Sequence, residues 1–280
     1  MTYLEKLQAA QTRHQSWLCL GLDPDPQRLP VEAIARWDEP VLPFNKQIID
    51  ATADLVCAYK PNLGFYLQWG ASGVIALERT IAYIPADIPV ILDAKIGDIG
   101  HTQAAWGRGL FEEWGVDAVT VNPYVGADAV TAVLAARPDK AVYLLARTSN
   151  PSAPEFQGDL RTGIGLSADV IRRSQRWPVA GALGYVLGAT YPEELRIARE
   201  LAPTAPFLIP GLGAQGGDLV AAVTYGPDPF TGPVINVSRD ILYASAGLDF
   251  AVRARAAAQG WRDAINAQRV AAAGQLGDGR

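Results

Sequence analysis

Short apolar runs alternate along the chain with longer segments whose hydrophobic residues recur at helical spacing. A continuous apolar run of a few residues, bounded by turn residues, is typical of a strand buried on both faces. Eight such runs occur. The predicted strands cover residues 17–22, 55–59, 90–96, 118–122, 141–146, 182–187, 207–209 and 234–237.

Helical segments separate these strands and predict the fold class. Strict alternation of strand and helix implies a parallel sheet, and eight units in 280 residues imply one closed (β/α)8 TIM barrel over residues 1–280. An open doubly wound sheet is the main competitor, but no Gly-x-Gly-x-x-Gly follows the first strand. The tail 274–280 is expected to be disordered. The predicted helices cover residues 3–15, 44–54, 64–84, 102–114, 127–136, 166–176, a segment from 192, 218–224 and 249–273.

Composition narrows the functional classes. The chain is 49% hydrophobic and 19% charged with a net charge of −5, as in a globular protein with a large core. The lysines and arginines form no basic stripe, which argues against nucleic-acid binding. No apolar run approaches the roughly 18 residues of a membrane span, and the first residues lack the order of a signal peptide. We therefore expect a cytoplasmic protein without a membrane segment.

The cysteines and histidines do not suggest a metal site. Cys19 and Cys57 each lie in an apolar run, which favours buried free thiols over a disulfide. His14 and His101 are the only histidines, and neither belongs to a Cys/His cluster. No metal or cofactor is expected from these residues.

The third predicted strand ends in charges that a buried strand does not need. Residues two apart on a strand share a face, so Asp93 and Lys95 should project together, with Asp98 at the start of the next helix. Unpaired buried charge is costly, so these groups need partners. A lone Asp-x-Lys is equally consistent with a structural ion pair, and the rest of the chain must decide.

Other polar residues also follow predicted strands. In a barrel of this type the active site lies at the carboxyl ends of the strands, so these residues should converge on one pocket. Each has a plain structural explanation when taken alone; Asp23, for example, suits a turn or a helix cap. Lys46 lies near the second strand but on a helix, where it is expected to be solvated. The set is Asp23, Lys60, Asp93, Lys95, Asn122, Ser149, Gln215 and Arg239.

One side of this pocket is expected to bind phosphate. Residues 210–218 carry four glycines around Gln215, which lets backbone amides approach an anion closely. Arg239, after the eighth strand, supplies a bidentate donor, and barrels commonly bind phosphate after strands seven and eight. The long, proline-rich connection after the fifth strand, 148–162, is a candidate lid.

The other side combines lysines with acids. Lys60, Asp93, Lys95 and Asp98 nearly cancel in charge, so they can occupy a dry pocket if each is paired. Flanking carboxylates favour the charged form of a lysine. Lys95 is therefore a better proton donor than Schiff-base nucleophile.

This ordered set resembles the orotidine 5'-monophosphate decarboxylase family, in its longer bacterial branch. The motif Asp93-x-Lys95-x-x-Asp98-Ile99-x-x-Thr102 is similar to the family signature, and the similarity extends from Asp23 to Arg239. By resemblance, Lys60 is the first catalytic lysine, Asp23 binds ribose, Ser149 contacts the pyrimidine, and Gln215 and Arg239 bind phosphate.

The resemblance implies a TIM barrel that decarboxylates a nucleotide monophosphate without a cofactor. Lys95 would donate the proton to C6, with Asp93, Asp98 and Lys60 completing the catalytic group. It also implies a homodimer in which Asp98 and Thr102 reach the partner subunit's site.

Three alternatives remain. A Mg²⁺-dependent sugar-phosphate decarboxylase or lyase of the same barrel group shares the Asp-x-Lys-x-x-Asp pattern, but it needs a carboxylate where Lys60 stands. A non-catalytic phosphate-ligand binding protein would use Gln215 and Arg239 and leave the charged group structural. A class I aldolase would require a neutral Lys95.

Overall fold

Eight parallel strands form the inner layer of the molecule, which is described by a computed structural model over residues 1–30, 39–158, 165–213 and 216–277. The hydrogen-bonded order is β2-β1-β8-β7-β6-β5-β4-β3. Isolated parallel bridges, Tyr59 with Val90 and Asn62 with Asp93, join β2 to β3 and bring the two edges together. The predicted (β/α)8 barrel is thereby confirmed. The strands are β1 Leu18–Leu22, β2 Ala58–Pro61, β3 Ile91–Ile96, β4 Ala118–Val121, β5 Ala141–Arg147, β6 Ala182–Leu187, β7 Phe207–Pro210 and β8 Val234–Val237.

Helices surround the strands. A π-helical segment, Arg108–Glu113, follows α5, and a 3-10 turn, Pro123–Val125, follows β4. Within the described ranges, no helix is long and apolar enough to cross a membrane. The helices are α1 Tyr3–His14, α2 Val41–Thr52, α3 Leu63–Leu67, α4 Gly70–Tyr83, α5 Gly100–Gly107, α6 Asp128–Thr131, α7 Pro154–Gln157, α8 Leu166–Ser174, α9 Pro192–Leu201, α10 Leu219–Tyr225, α11 Arg239–Leu242 and α12 Phe250–Gly277.

Several helix boundaries differ from the sequence prediction. The single helix predicted over 64–84 is two helices, because Gly70 adopts a φ of +64° that breaks the first from the second. The helix predicted over 127–136 shortens to one turn, α6. Helix α12 ends at Gly277, four residues beyond the predicted end at 273; of the tail expected over 274–280, residues 278–280 lie outside the described part.

The barrel interior is built in layers. Because successive strand residues face opposite sides, positions two apart point inward together. The lower interior layer is apolar and includes Cys19, Ala58, Ile91, Ala118 and Val234, all fully buried. Two residues further along the same strands the inward positions are polar, and these polar positions form the floor of the site. They are Lys60, Asp93, Thr120 and Asn236, whereas β1 has Gly21 at the same level.

Helix α1 closes the opposite end of the barrel. Thr2 and Glu5 form a capping box at its start. Tyr3 and Leu7 pack into the interior apolar cluster, and the Tyr3 hydroxyl lies 2.7 Å from that of Tyr143 on β5. This end is therefore filled by side chains, and the polar layer faces the carboxyl ends of the strands.

Gly184 on β6 tests how tightly this interior is packed. A Cβ at Gly184 would lie 2.5 Å from the Pro206 carbonyl oxygen and 2.8 Å from the Tyr143 ring. We expect Gly184→Ala to lower the free energy of unfolding by about 1–3 kcal/mol through overpacking. Urea denaturation followed by circular dichroism measures the change.

The matched control is Gly260→Ala within α12, where the added Cβ meets no atom within 4 Å. This variant should gain about 0.5–1 kcal/mol from helix propensity. Equal stability of the two variants would contradict the packing described for β6.

Candidate active site

A cavity of about 720 Å³ opens at the carboxyl ends of the strands. It joins the charged residues of β2 and β3 to the glycine-rich turn after β7 and the start of α11. The sequence prediction required these two groups to meet in one pocket, and they do. Of the residues named from the sequence, those lining the cavity are Asp23, Lys60, Asp93, Lys95, Ser149 and Arg239.

The Asp93 carboxylate is the centre of the charged side. Its Oδ1 accepts hydrogen bonds from Lys95 Nζ at 2.5 Å and Thr120 Oγ1 at 3.0 Å. Its Oδ2 accepts from Lys60 Nζ at 2.9 Å and Asn62 Nδ2 at 3.1 Å. Four donors from three neighbouring strands and their ends therefore fix one carboxylate, as a buried charge requires.

The backbone of β3 departs from regular strand geometry at this point. Pairing with β4 shifts register between Leu92 and Ile96, and Lys95 adopts a φ of +49°. A long side chain in the left-handed region costs on the order of 1–3 kcal/mol and persists only where the surroundings impose it. Asp93 and Lys95 do meet, as predicted, but through a bulge rather than regular alternation.

Burial and charge oppose each other at these groups. Burial raises the pKa of Asp93, but the ammonium groups of Lys60 and Lys95 outweigh it and hold the pKa well below its usual value. Burial lowers the pKa of Lys60, but Asp93 and Asp23 raise it above its usual value overall. The two groups therefore remain ionised across the neutral range. Lys60 is nearly buried, whereas the side chain of Lys95 is 47% exposed toward the cavity.

Asp23 lies just beyond β1. Its backbone is fixed by a hydrogen bond, and one of its side-chain oxygens has no hydrogen-bond partner among the described residues. The Tyr243 hydroxyl donates to the Asp23 carbonyl at 2.6 Å and accepts from the Asp25 amide at 2.7 Å. Burial raises the pKa of Asp23, with Lys60 partly offsetting it. Its buried Oδ1 has no hydrogen-bond partner among the described residues. A buried acceptor of this kind suits a ligand hydroxyl.

The glycine-rich turn after β7 packs closely against its neighbours. The Gly217 amide donates to the Gly211 carbonyl at 2.9 Å, and a Cβ at Gly217 would lie 2.5 Å from Ala189 Cβ. Arg239 is the first residue of α11 and extends into the same end of the cavity. Gln215, named as a phosphate ligand from the sequence, lies outside the described residues.

The connection after β5 contains more structure than its composition indicated. Gln157 on α7 reaches back across the connection, accepting from the Thr148 amide at 2.7 Å and donating to Thr148 Oγ1 at 2.9 Å. Ser149 lines the cavity and lies between Thr148 and Gln157, which these hydrogen bonds connect. Of the candidate lid over 148–162, residues 159–162 fall outside the described part.

Four other residues named from the sequence lie away from the cavity lining. Asn122 is exposed and accepts from the Tyr124 amide at 3.0 Å, so it caps the 3-10 turn. Lys46 lies over the Tyr83 ring at 4.5 Å and does not line the cavity, whereas Lys60 does. Asp98 is partly buried and Thr102 exposed, both outside the cavity of this chain.

Several residues that line the cavity were not among those predicted from the sequence, including Arg28, Asn62, Thr120 and Asn236. Asn62 follows β2 directly, and its position after a strand was a usable signal. Thr120 and Asn236 occupy inward positions inside apolar strands, where only the two-residue alternation from Ala118 and Val234 indicates them. Arg28 lies over the Tyr243 ring at 4.3 Å, and nothing local in the sequence marks it.

The sequence of the chain was compared with those of known protein families and known proteins. Residues 16–253 match the family model described as "Orotidine 5'-phosphate decarboxylase / HUMPS family". Orotidine 5'-phosphate decarboxylase of Thermomicrobium roseum is 49% identical over 282 residues, covering 99% of each chain. The protein of the same name from Ralstonia nicotianae is 45% identical over 96% of this chain and 100% of its own.

Solved structures agree. The Leishmania donovani OMP decarboxylase is 36% identical, with a TM-score of 0.82 over 96% of this chain and 99% of its own. The structure of a putative orotidine-monophosphate-decarboxylase from Toxoplasma gondii is 35% identical, with a TM-score of 0.85 over 98% of each chain.

The lowered pKa of Asp93 makes stability depend on pH. Its folded pKa lies below the roughly 3.9 of an unfolded aspartate, so its ionisation stabilises the fold above that pH and the contribution is lost as pH falls through the folded value. We expect Asp93→Asn to be less stable than wild type by about 3 kcal/mol at pH 6, with the gap narrowing below about pH 4. Urea denaturation across pH 3–6 measures this gap.

The control is Asp87→Asn, which removes an exposed ion pair with Arg13. Exposed ion pairs contribute about 0–1 kcal/mol, so the difference in free energy of unfolding between Asp87→Asn and wild type should be small at every pH. If the stability difference between Asp93→Asn and wild type did not change with pH, the lowered pKa described for Asp93 would be contradicted.

Proposed function

The chain belongs to the orotidine 5'-phosphate decarboxylase / HUMPS family, and from this we infer that it catalyses the decarboxylation of orotidine 5'-monophosphate to uridine 5'-monophosphate. The similarity to relatives bearing the decarboxylase name extends over nearly the whole chain. The observation that carries the mechanism is the Lys60–Asp93–Lys95 cluster, which shares one cavity with Arg239.

The reaction breaks the bond between C6 and the carboxylate carbon. Carbon dioxide leaves, and the electron pair of that bond stays on C6. We propose that the Lys95 ammonium stabilises this charge and then transfers a proton to C6, completing uridine 5'-monophosphate. The amine left on Lys95 regains its proton from water. Exposure of Lys95 to the cavity allows both transfers.

Asp93 is proposed to orient Lys95 and to lie beside the substrate carboxylate. Its fixed negative charge favours loss of that carboxylate, because the repulsion ends when neutral carbon dioxide forms. Lys60 and Asn62 hold the far oxygen of Asp93, so the carboxylate cannot turn away from this position.

The remaining contacts are proposed to bind the nucleotide away from C6. The unpartnered Oδ1 of Asp23 is suited to a ribose hydroxyl, and Ser149 to the pyrimidine. Arg239 and the glycine-rich turn suit the phosphate. The family resemblance adds Gln215 as a proposed phosphate ligand. Binding energy from the phosphate would then favour closure of the loop after β5.

The Mg²⁺-dependent alternative is not supported. A metal ion bound at the end of β2 needs a carboxylate ligand there, but the residue at that position is Lys60. The Lys60 ammonium also donates a hydrogen bond to Asp93 Oδ2. The non-catalytic alternative is not supported either, since the relatives reported above bear an enzyme's name.

Lys95→Ala tests the proton-donor role. It should lower kcat for orotidine 5'-monophosphate by about 10³-fold or more, because both charge stabilisation and proton donation are lost. Loss of orotidylate absorbance measures turnover, with EDTA present in parallel assays of the wild type. Lys46→Ala, which changes a lysine outside the cavity, should retain wild-type turnover. Near-normal activity of Lys95→Ala would refute the role, and inhibition by EDTA would revive the metal-dependent reading.

We further propose that the enzyme is a homodimer whose sites are shared between subunits. Asp98 and Thr102 lie outside the cavity of their own chain, and the large hydrophobic residues nearest to them in the sequence, Ile99 and Trp106, are exposed. Tyr124, in the turn after β4, is 94% exposed, so its ring is available for contact with a partner subunit. A two-fold contact here would carry Asp98 toward the partner's cavity.

Subunit mixing tests this arrangement. Lys95→Ala and Asp98→Ala should each be nearly inactive alone. In a mixed dimer, one site would receive Lys95 from one subunit and Asp98 from the other, so co-refolded protein should recover up to about a quarter of wild-type activity. Assays of the mixture against each variant alone measure this recovery. Absence of recovery, with mixed dimers demonstrated by mass spectrometry, would show that Asp98 acts within its own chain.

We also propose a cytoplasmic location. The described part of the chain keeps Cys19 and Cys57 as buried free thiols, which suits a reducing compartment.

A further inference from the structure

Thr120 occupies the one β4 position opposite the bulge of β3. The two strands pair regularly at Leu92 with Val119 and again at Ile96 with Val121. Between these pairs β3 has three residues, whereas β4 has only Thr120. The side chain of Thr120, which is 1% exposed, therefore faces a stretch of β3 that the regular backbone ladder does not support.

The Thr120 hydroxyl makes two hydrogen bonds that use both of its roles. Its oxygen accepts from the Lys95 backbone amide at 2.9 Å. Its proton is donated to Asp93 Oδ1 at 3.0 Å. That same Oδ1 accepts from Lys95 Nζ at 2.5 Å. The Thr120 hydroxyl thus contacts the backbone amide of Lys95 directly, and it shares the Oδ1 atom of Asp93 with the Lys95 ammonium.

This connection accounts for the unusual backbone of Lys95. A φ of +49° is unfavourable for lysine, so surrounding contacts must hold it. The Thr120 oxygen provides the acceptor for the bulged amide, and the Asp93 carboxylate anchors the side chain. Without the hydroxyl, the amide loses its acceptor and β3 is free to relax toward regular pairing.

We infer that Thr120 is a positioning residue for decarboxylation: it holds the left-handed bulge that aims the Lys95 ammonium at C6 and fixes the Asp93 oxygen beside it. This inference rests on the proposed function, in which Lys95 is the proton donor. Thr120 acts through Lys95 and Asp93 and needs no contact with the nucleotide.

Thr120→Val keeps the shape of the side chain and removes both hydrogen bonds, whereas Thr120→Ser keeps the hydroxyl. We expect Thr120→Val to lower kcat by about 10- to 100-fold, the effect of losing hydrogen bonds to charged groups at the reacting centre. KM should change less than about threefold, because the phosphate and ribose contacts lie elsewhere in the cavity. Thr120→Ser should restore kcat to within about threefold of wild type.

Thr80→Val is the matched control. Thr80 is fully buried on α4, away from the cavity, and accepts from Asn45 Nδ2 at 3.0 Å. This variant should lose stability like any buried threonine deprived of its hydroxyl, but its kcat should equal that of wild type. A merely structural Thr120 would behave as Thr80 does, with a lower Tm and an unchanged kcat.

A crystal structure of Thr120→Val gives a readout independent of turnover. We expect Lys95 to leave the left-handed region and its Nζ to move away from Asp93 Oδ1. An unchanged Lys95, or equal kcat values for the Val variant and wild type, would overturn the inference while leaving the proposed function intact. A wild-type enzyme inert toward orotidine 5'-monophosphate would instead overturn the proposed function, and the crystal structure would still decide whether Thr120 holds the bulge.

Discussion

A single carboxylate with four hydrogen-bond donors organises both the site and one seam of the barrel. Asp93 receives Lys60 and Asn62 from the side of β2, Lys95 from its own strand and Thr120 from β4. Backbone pairing between β2 and β3 consists of isolated bridges, one of which joins Asn62 to Asp93. The side-chain network therefore lies where the sheet itself is least continuous, and it links three strands that must be in correct register for the cluster to form.

The sequence predicted the fold, and it predicted that Lys60, Asp93 and Lys95 meet in one cavity, because both depend on simple alternations. Apolar runs separated by helices gave eight strands, and charges at the ends of those runs marked Lys60, Asp93 and Lys95. Regular periodicity contains no sign of the bulge at Lys95, because a positive φ arises from contacts with β4 that are distant in sequence. Asn122 was assigned to the site because it follows a strand, but its side chain instead caps a turn.

The two ends of the cavity differ in how they are built. The end near Lys95 is held by short ion pairs and hydrogen bonds between strand residues, which suits chemistry that depends on accurate placement. The other end is formed by a glycine-rich turn and by loops, including the segment that carries Ser149. Loops adapt to a ligand at lower cost than strands, so the proposed recognition of the nucleotide and the proposed stabilisation of charge involve parts of different stiffness.

Because the lower end of the barrel is filled by side chains, small molecules cannot enter or leave through it. Tyr3, Leu7 and the apolar layer around Tyr143 stop the barrel from acting as a channel. In the proposed reaction, carbon dioxide forms at the carboxyl ends of the strands and departs through the same opening by which the nucleotide enters. Any segment that covers this opening therefore delays the escape of the gas as well as of the nucleotide.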